Sequence, residues 1–233
     1  MGLAIAVFVP EGMVVVSDGI AEIKNAKNDN GFLQKKQKTM FSFAGRYIVC
    51  VQGNGCWQGL PYAFYIEKIF HSMNHESFAS TKEFADRFQQ YLMNYINEYD
   101  NTLFYVAGID EILGKSPIPV LCLVDIHNVI IINRGFNDCN VYNYHSIGHN
   151  LWINKLLLPT NYEINEREKI TFENVDIDFS KYSIEEAIDF AKFMIRLTHQ
   201  IDNFAQLKDL VGNSLYIGIV RLYDGGVKLI TDL

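Results

Sequence analysis

The chain has 233 residues, 49% of them hydrophobic, and a formal net charge of −7 with a sequence pI near 5.3. A chain of this length can bury a substantial core, so we expect one domain over residues 1–233. Nucleic-acid binding needs clustered cations that displace counterions from phosphates, so the acidic charge disfavours a nucleic-acid partner.

Membrane insertion and secretion are also disfavoured. No stretch reaches the roughly 18 consecutive apolar residues that cross a bilayer, and the apolar start has neither a basic flank nor a small-residue cleavage site. The cysteines are widely spaced and form no Cys-x-x-Cys pair; they are Cys50, Cys56, Cys122 and Cys139. Reduced thiols in a cytoplasmic protein explain this spacing most simply. We therefore expect a cytoplasmic protein with no membrane partner.

Two short strands joined by a turn are predicted at the start of the chain. Apolar residues recur from Leu3 to Val9, and Pro10-Glu-Gly12 supplies the turn. The second strand runs from Gly12 to Asp18. Asp18 is therefore a carboxylate fixed at the end of a strand and a candidate site residue.

Further strands and helices follow in alternating groups. Strands are predicted at residues 38–43, 47–52, 102–107, 120–124, 129–132, 214–222 and 227–230, where aromatic and β-branched residues dominate. A helix is predicted over residues 57–73, and others begin after Ser80 and Ser183, each followed three residues later by a glutamate that completes a capping box. A surface loop is predicted at residues 24–31, and a surface excursion at residues 155–181.

The strand pattern predicts the fold class. The strands are almost continuously apolar and do not alternate cleanly, which is typical of sheets covered on both faces. An α+β protein with four layers, helix on sheet on sheet on helix, satisfies this pattern.

Five landmarks in chain order extend over nearly the whole sequence. They are Val14-Val-Val-Ser-Asp-Gly19; Lys38 with Gly53; Val106-Ala-Gly-Ile-Asp110 with Pro119-Val-Leu-Cys-Leu-Val-Asp125; Ile147-Gly148; and Glu185-Glu-Ala187 with Asp202. Together they resemble the β-type subunits of the proteasome, most of all the bacterial proteasome-like ring peptidase that works with a heat-shock unfoldase. The resemblance implies a four-layer αββα sandwich of the N-terminal nucleophile hydrolase type.

The resemblance also implies a set of site residues. Gly2 occupies the position of the family's nucleophile, and Asp18, Lys38 and Asp202 match its charged active-site residues. Gly53 matches a glycine of the substrate cleft. His149, also expected in the cleft, stands where the family has a serine, and Ala205 replaces another serine.

The chemistry of the family requires more than these residues. Its members attack a carbonyl with the hydroxyl or thiol of residue one, whose free α-amine serves as general base. Gly2 has no such group, so we expect Asp18, Lys38 and Asp202 to be either a structural salt-bridge cluster or the remnant of a site. No cofactor is expected. His71 and His75 are four residues apart, but no third close ligand is apparent, so a metal site is also not expected.

Two functions remain open. The first is a non-catalytic, proteasome-like scaffold or binding subunit of a homo-oligomer, expected to be ring-shaped and able to take a peptide or protein partner. The first two helices carry more aromatic residues than one helix pair needs to cover a sheet. This surplus favours association between copies of the chain. The alternative is a threonine-peptidase-like hydrolase with an atypical nucleophile. In such a hydrolase His149 could act as base and Cys56 as nucleophile, although a packing role for both residues is favoured.

Overall fold

The structure, a computed structural model, describes residues 2–24, 32–53, 55–96, 101–111, 116–132, 142–157, 160–165, 168–172, 177–205, 211–212, 214–223 and 226–232. The α-helices are α1 (Tyr62–Met73), α2 (Thr81–Met93), α3 (Leu151–Leu157) and α4 (Ile184–Phe204). The strands are β1 (Leu3–Val9), β2 (Gly12–Asp18), β3 (Ile20–Lys24), β4 (Phe32–Lys36), β5 (Met40–Phe43), β6 (Tyr47–Gln52), β7 (Cys56–Trp57), β8 (Leu60–Pro61), β9 (Leu103–Asp110), β10 (Ile118–Val124), β11 (Val129–Ile131), β12 (Tyr144–Gly148), β13 (Thr160–Asn165), β14 (Glu168–Phe172), β15 (Leu215–Arg221) and β16 (Val227–Asp232). The protein is therefore a mixed α+β structure.

Two five-stranded antiparallel sheets form the centre of the molecule. The first sheet has the strand order β12-β1-β2-β15-β16, and the second has the order β11-β10-β9-β6-β5. The hairpins β3–β4, β7–β8 and β13–β14 form separate two-stranded sheets. In the first sheet, β1 lies between β12 and β2, so the start of the chain is paired on both sides.

Three apolar clusters hold the layers together. The two sheets pack face to face through a cluster that includes Ala6, Met13, Ile48 and Leu121. A second cluster joins the outer face of the first sheet to α4 and α3, and a third joins the outer face of the second sheet to α1 and α2. Every residue of β1 and β2 is buried. Burial on both faces accounts for the lack of alternation in these strands.

The structure confirms most of the predicted elements that rested on strong local sequence signals. The strands at either side of Pro10 end where the sequence indicated, and Ser80 and Ser183 both cap helices through their side chains. Ser183 and Glu186 form the complete capping box at the start of α4. Such caps depend on a few adjacent residues, which explains why the sequence located them.

Other elements differ from the sequence prediction. The first helix begins at Tyr62 rather than at residue 57, because residues 56–61 form the β7–β8 hairpin. The predicted surface excursion at residues 155–181 contains the end of α3 and the β13–β14 hairpin, and Phe179 in a 3₁₀ turn is buried against the first sheet. The predicted loop at residues 24–31 lies outside the described residues, except for Lys24 in β3.

Candidate functional site

Asp18 is buried at the end of β2, where backbone N–H groups bind its carboxylate. The N–H of Leu3 donates to Oδ1 at 3.0 Å, and the N–H of Gly212 donates to Oδ2 at 2.8 Å. Burial raises the pKa of Asp18 to about 7, although these hydrogen bonds oppose the shift. The carboxyl group therefore fixes the start of β1 and gains or loses its proton near neutral pH.

A buried polar network lies between the sheets beside Asp18. The Ser17 and Thr39 hydroxyls lie 2.9 Å apart, and both lie within hydrogen-bond distance of the Asp18 carbonyl oxygen, at 2.8 and 2.9 Å. The Gln52 amide donates to Ser17 Oγ at 2.7 Å. All four side chains are buried. These hydroxyls are engaged in holding the end of β2, so neither points into open space as a nucleophile would.

Lys38 does not join this network. Its side chain is exposed, and its ammonium lies 4.6 Å from the centre of the Phe41 ring. Within the described residues Lys38 makes no ion pair with Asp18 or Asp202. Adjacent side chains of an extended segment point to opposite sides, so the inward direction of Thr39 turns Lys38 outward. The structure therefore does not bring together the three charged residues that the resemblance suggested.

Asp202 instead binds two aromatic side chains. Its Oδ1 atom lies 3.1 Å from His149 Nε2 and 3.0 Å from Trp152 Nε1, and the residue is wholly buried at the end of α4. Its Oδ2 atom accepts no hydrogen bond from the described part of the chain. The backbone N–H of His149 donates to the Gly2 carbonyl at 2.8 Å. Asp202 thus orients an imidazole next to the start of β1.

The two predicted glycines occupy positions where backbones approach closely. Gly2 is buried, and its only polar groups are those of the main chain. Gly53 directly follows Gln52 and has a φ of 123°. A Cβ atom there would lie 2.9 Å from Thr102 Cα, so the close approach requires glycine. Gly53 therefore belongs to the same end of the second sheet as the Gln52 amide.

The remaining candidates do not converge on the site. Cys56 is half-buried in β7 and makes no described contact with His149. His71 and His75 are both exposed at the end of α1 and beyond it. Among the described residues, no group of three or more His, Cys, Asp or Glu side chains could hold a metal ion.

Sequence reasoning missed several residues of this site, including Gln52, Trp152 and Gly212. Ser17 and Gln52 follow apolar strand runs, and a polar residue at the end of such a run is a usable signal for a buried hydrogen-bond network. Gly212 and Trp152 contribute an N–H group each, and nothing in the local sequence distinguishes them from other loop or helix residues.

Comparison with known proteins adds no identification. No model of a protein family matches the chain. No curated protein matches it either. Within the described residues, no helix combines the length and apolar character needed to cross a membrane.

Proposed function

We propose that this protein is a non-catalytic, proteasome-subunit-like protein with a four-layer αββα sandwich of the N-terminal nucleophile hydrolase type. Two features support the fold. The sheets pack face to face with helices on both outer faces, and the first two strands form an antiparallel pair that ends in Asp18. In this proposal the protein is cytoplasmic and serves as a scaffold or binding subunit of a homo-oligomer.

The proposal of a non-catalytic protein rests on how Asp18 is used. Its two carboxylate oxygens bind the backbone N–H groups of Leu3 and Gly212, while Lys38 lies exposed against Phe41. An active site of this type needs a charged pair beside a hydroxyl or thiol, and the residue that precedes Leu3 is a glycine. Asp18 in this arrangement stabilises the fold and has no reacting group to activate.

A hydrolase with an atypical nucleophile is the second candidate, and the His149–Asp202 pair favours it. An imidazole oriented by a buried carboxylate is two-thirds of a catalytic triad. The missing part is the nucleophile, because no described hydroxyl or thiol hydrogen-bonds to His149. We therefore rank this function second.

Covalent probes test the two functions against each other. The full chain is incubated with a peptide epoxyketone and with a fluorophosphonate, and its intact mass is measured, with an active proteasome as the positive control for the epoxyketone. We expect no mass increase with either probe. An adduct on any residue overturns the proposal, and an adduct that His149→Ala abolishes establishes the hydrolase in its place.

A further inference from the structure

An open cavity lies on the outer face of the first sheet, away from Asp18 and Asp202. Its volume is about 430 Å³, and it lies between the first turns of α4 and the strands β15 and β16. Its lining includes Glu185, Ile188, Ile219, Arg221, Lys228 and Ile230. Cavities of several hundred Å³ with an apolar floor and a few polar groups are of the size that binds ligands.

The charged side chains that line the cavity favour the binding of an anionic group. Arg221 Nη2 forms an ion pair with Glu185 Oε1 at 2.8 Å, and the Arg221 and Glu185 side chains are 42% and 68% exposed. Lys228 is exposed and forms no ion pair with the described carboxylates. Among the described residues that line the cavity, Lys228 is therefore a cation without an ion pair, beside the apolar side chains of Ile219 and Ile230.

The cavity borders the edge of the first sheet. β16 is the last strand in the sheet order, and the N–H of Arg221 bonds to the Gly226 carbonyl in the hairpin before it. In an antiparallel pair of strands, hydrogen-bonded and non-hydrogen-bonded residue pairs alternate, and this bond makes Arg221 and Gly226 a hydrogen-bonded pair. Leu229 and Thr231 therefore belong to non-hydrogen-bonded pairs with β15. Their N–H and C=O groups point outward, as does the N–H of Val227, which donates to the Gly45 carbonyl.

We propose that this edge binds an extended acidic peptide, which adds to the first sheet as a strand next to β16. The outward N–H and C=O groups of Leu229 and Thr231 are a template for such an addition, whereas the Val227 N–H is already bonded to Gly45. The proposal goes beyond the proposed function and does not depend on it, because it involves none of the residues around Asp18 or Asp202.

The register specifies the peptide. Lys228 and Ile230 lie on the cavity side of β16, so the peptide residues opposite them also face the cavity. All pairs of the first sheet are antiparallel, and an antiparallel peptide meets Ile230 before Lys228. The preferred sequence is therefore an apolar residue, any residue, then glutamate or aspartate.

Fluorescence anisotropy with a labelled peptide tests this proposal. The probe is an eight-residue peptide with both ends blocked, in which threonine alternates with isoleucine and glutamate in the preferred order. We expect saturable binding to the full chain and an affinity about tenfold lower for Lys228→Glu, because a cross-strand attraction becomes a repulsion. A peptide with lysine in place of glutamate should recover the affinity of this variant.

Two further variants complete the test. Thr231→Pro removes an outward N–H without removing a bond to β15, so binding should be lost while the circular dichroism spectrum stays unchanged. Lys68→Glu makes the same charge change on an exposed lysine of α1 and should bind as the wild type does. Absence of saturation at about 1 mM peptide, or equal affinities of wild type and Lys228→Glu, overturns the proposal. A dimer that Thr231→Pro dissociates also overturns it, since a second copy of the chain is then the occupant.

Discussion

At the scale of single residues, two buried carboxylates hold the start of β1, one directly and the other through a neighbouring residue. Asp18 binds a backbone N–H of β1 directly, at Leu3. Asp202 holds the start of β1 indirectly, because it binds the ring of His149, and the backbone N–H of His149 donates to the Gly2 carbonyl. The start of the first strand is thus fixed on both sides by buried carboxyl groups.

The raised pKa of Asp18 makes stability depend on pH. The folded pKa is about 7 against an ordinary value of 3.8, so between these pH values the folded state holds a proton that the unfolded chain has released. The stability contributed by protonated Asp18 is fully present below about pH 4 and is lost as pH rises through 7, by about 4 kcal/mol at most. Asp18→Asn cannot titrate, so the free energy of unfolding of the wild type minus that of this variant should fall from pH 4 to pH 8.

Urea unfolding at a series of pH values measures this difference. Thr39→Val is the matched control, because it removes a hydroxyl bond to the Asp18 carbonyl but no titrating group. Its free-energy difference from the wild type should be the same at every pH. A difference between wild type and Asp18→Asn that stays constant from pH 4 to pH 8 contradicts the expectation.

At the scale of elements, the pairing of β1 with β12 depends on one glycine. Gly148 ends β12 opposite Leu3 and has a φ of 93°. A Cβ atom at Gly148 would lie 2.0 Å from the Gly2 carbonyl oxygen, which is the acceptor for the His149 N–H. The left-handed backbone and the close contact both require glycine, and they place His149 next to Asp202.

Gly148→Ala should therefore lower the free energy of unfolding by about 3 kcal/mol, through backbone strain and a displaced first strand. Gly45→Ala is the control, since Gly45 also has a positive φ, of 65°, but open space around its Cβ position. It should cost about 1 kcal/mol. Urea denaturation of both variants gives the comparison, and equal losses would show that the contact with Gly2 has no effect.

At the scale of the whole molecule, packing uses most of the apolar side chains and leaves a few exposed. Helices α1 and α2 carry seven aromatic residues, the set expected to favour association, and six of them are buried or packed against the core; they are Tyr62, Tyr65, Phe70, Phe84, Phe88 and Tyr91. Phe64 is exposed. The outer helical layer of the first sheet has a stronger set, with Phe193 59% and Phe204 89% exposed on α4 and Leu151 and Leu156 exposed on α3.

We expect the proposed homo-oligomer to associate through this α3–α4 layer. Light scattering at micromolar concentration should return a multiple of the 26.7 kDa chain mass, and Phe193→Glu should lower it by placing a charge in the interface. Met93→Glu makes a similar change at an exposed position of α2 and should leave the mass unchanged. A mass of 26.7 kDa for the wild type contradicts oligomer formation, and dissociation by Met93→Glu alone places the interface on the other helical layer.

The sequence alone determined the features that depend on neighbouring residues. The paired strands at the start and the caps at Ser80 and Ser183 follow from local patterns, and the structure confirms them. The sequence also established that the residue before Leu3 has no hydroxyl or thiol, because this needs only the identity of Gly2.

Only the tertiary structure decided how the site is connected. Asp18 binds Gly212, which is 194 positions away, and Asp202 binds His149, which is 53 positions away. Lys38, which the resemblance placed in the site, points outward because Thr39 takes the inward direction. Such contacts depend on strand order, register and the direction of each side chain, and these are set by the packing of distant segments rather than by local propensity.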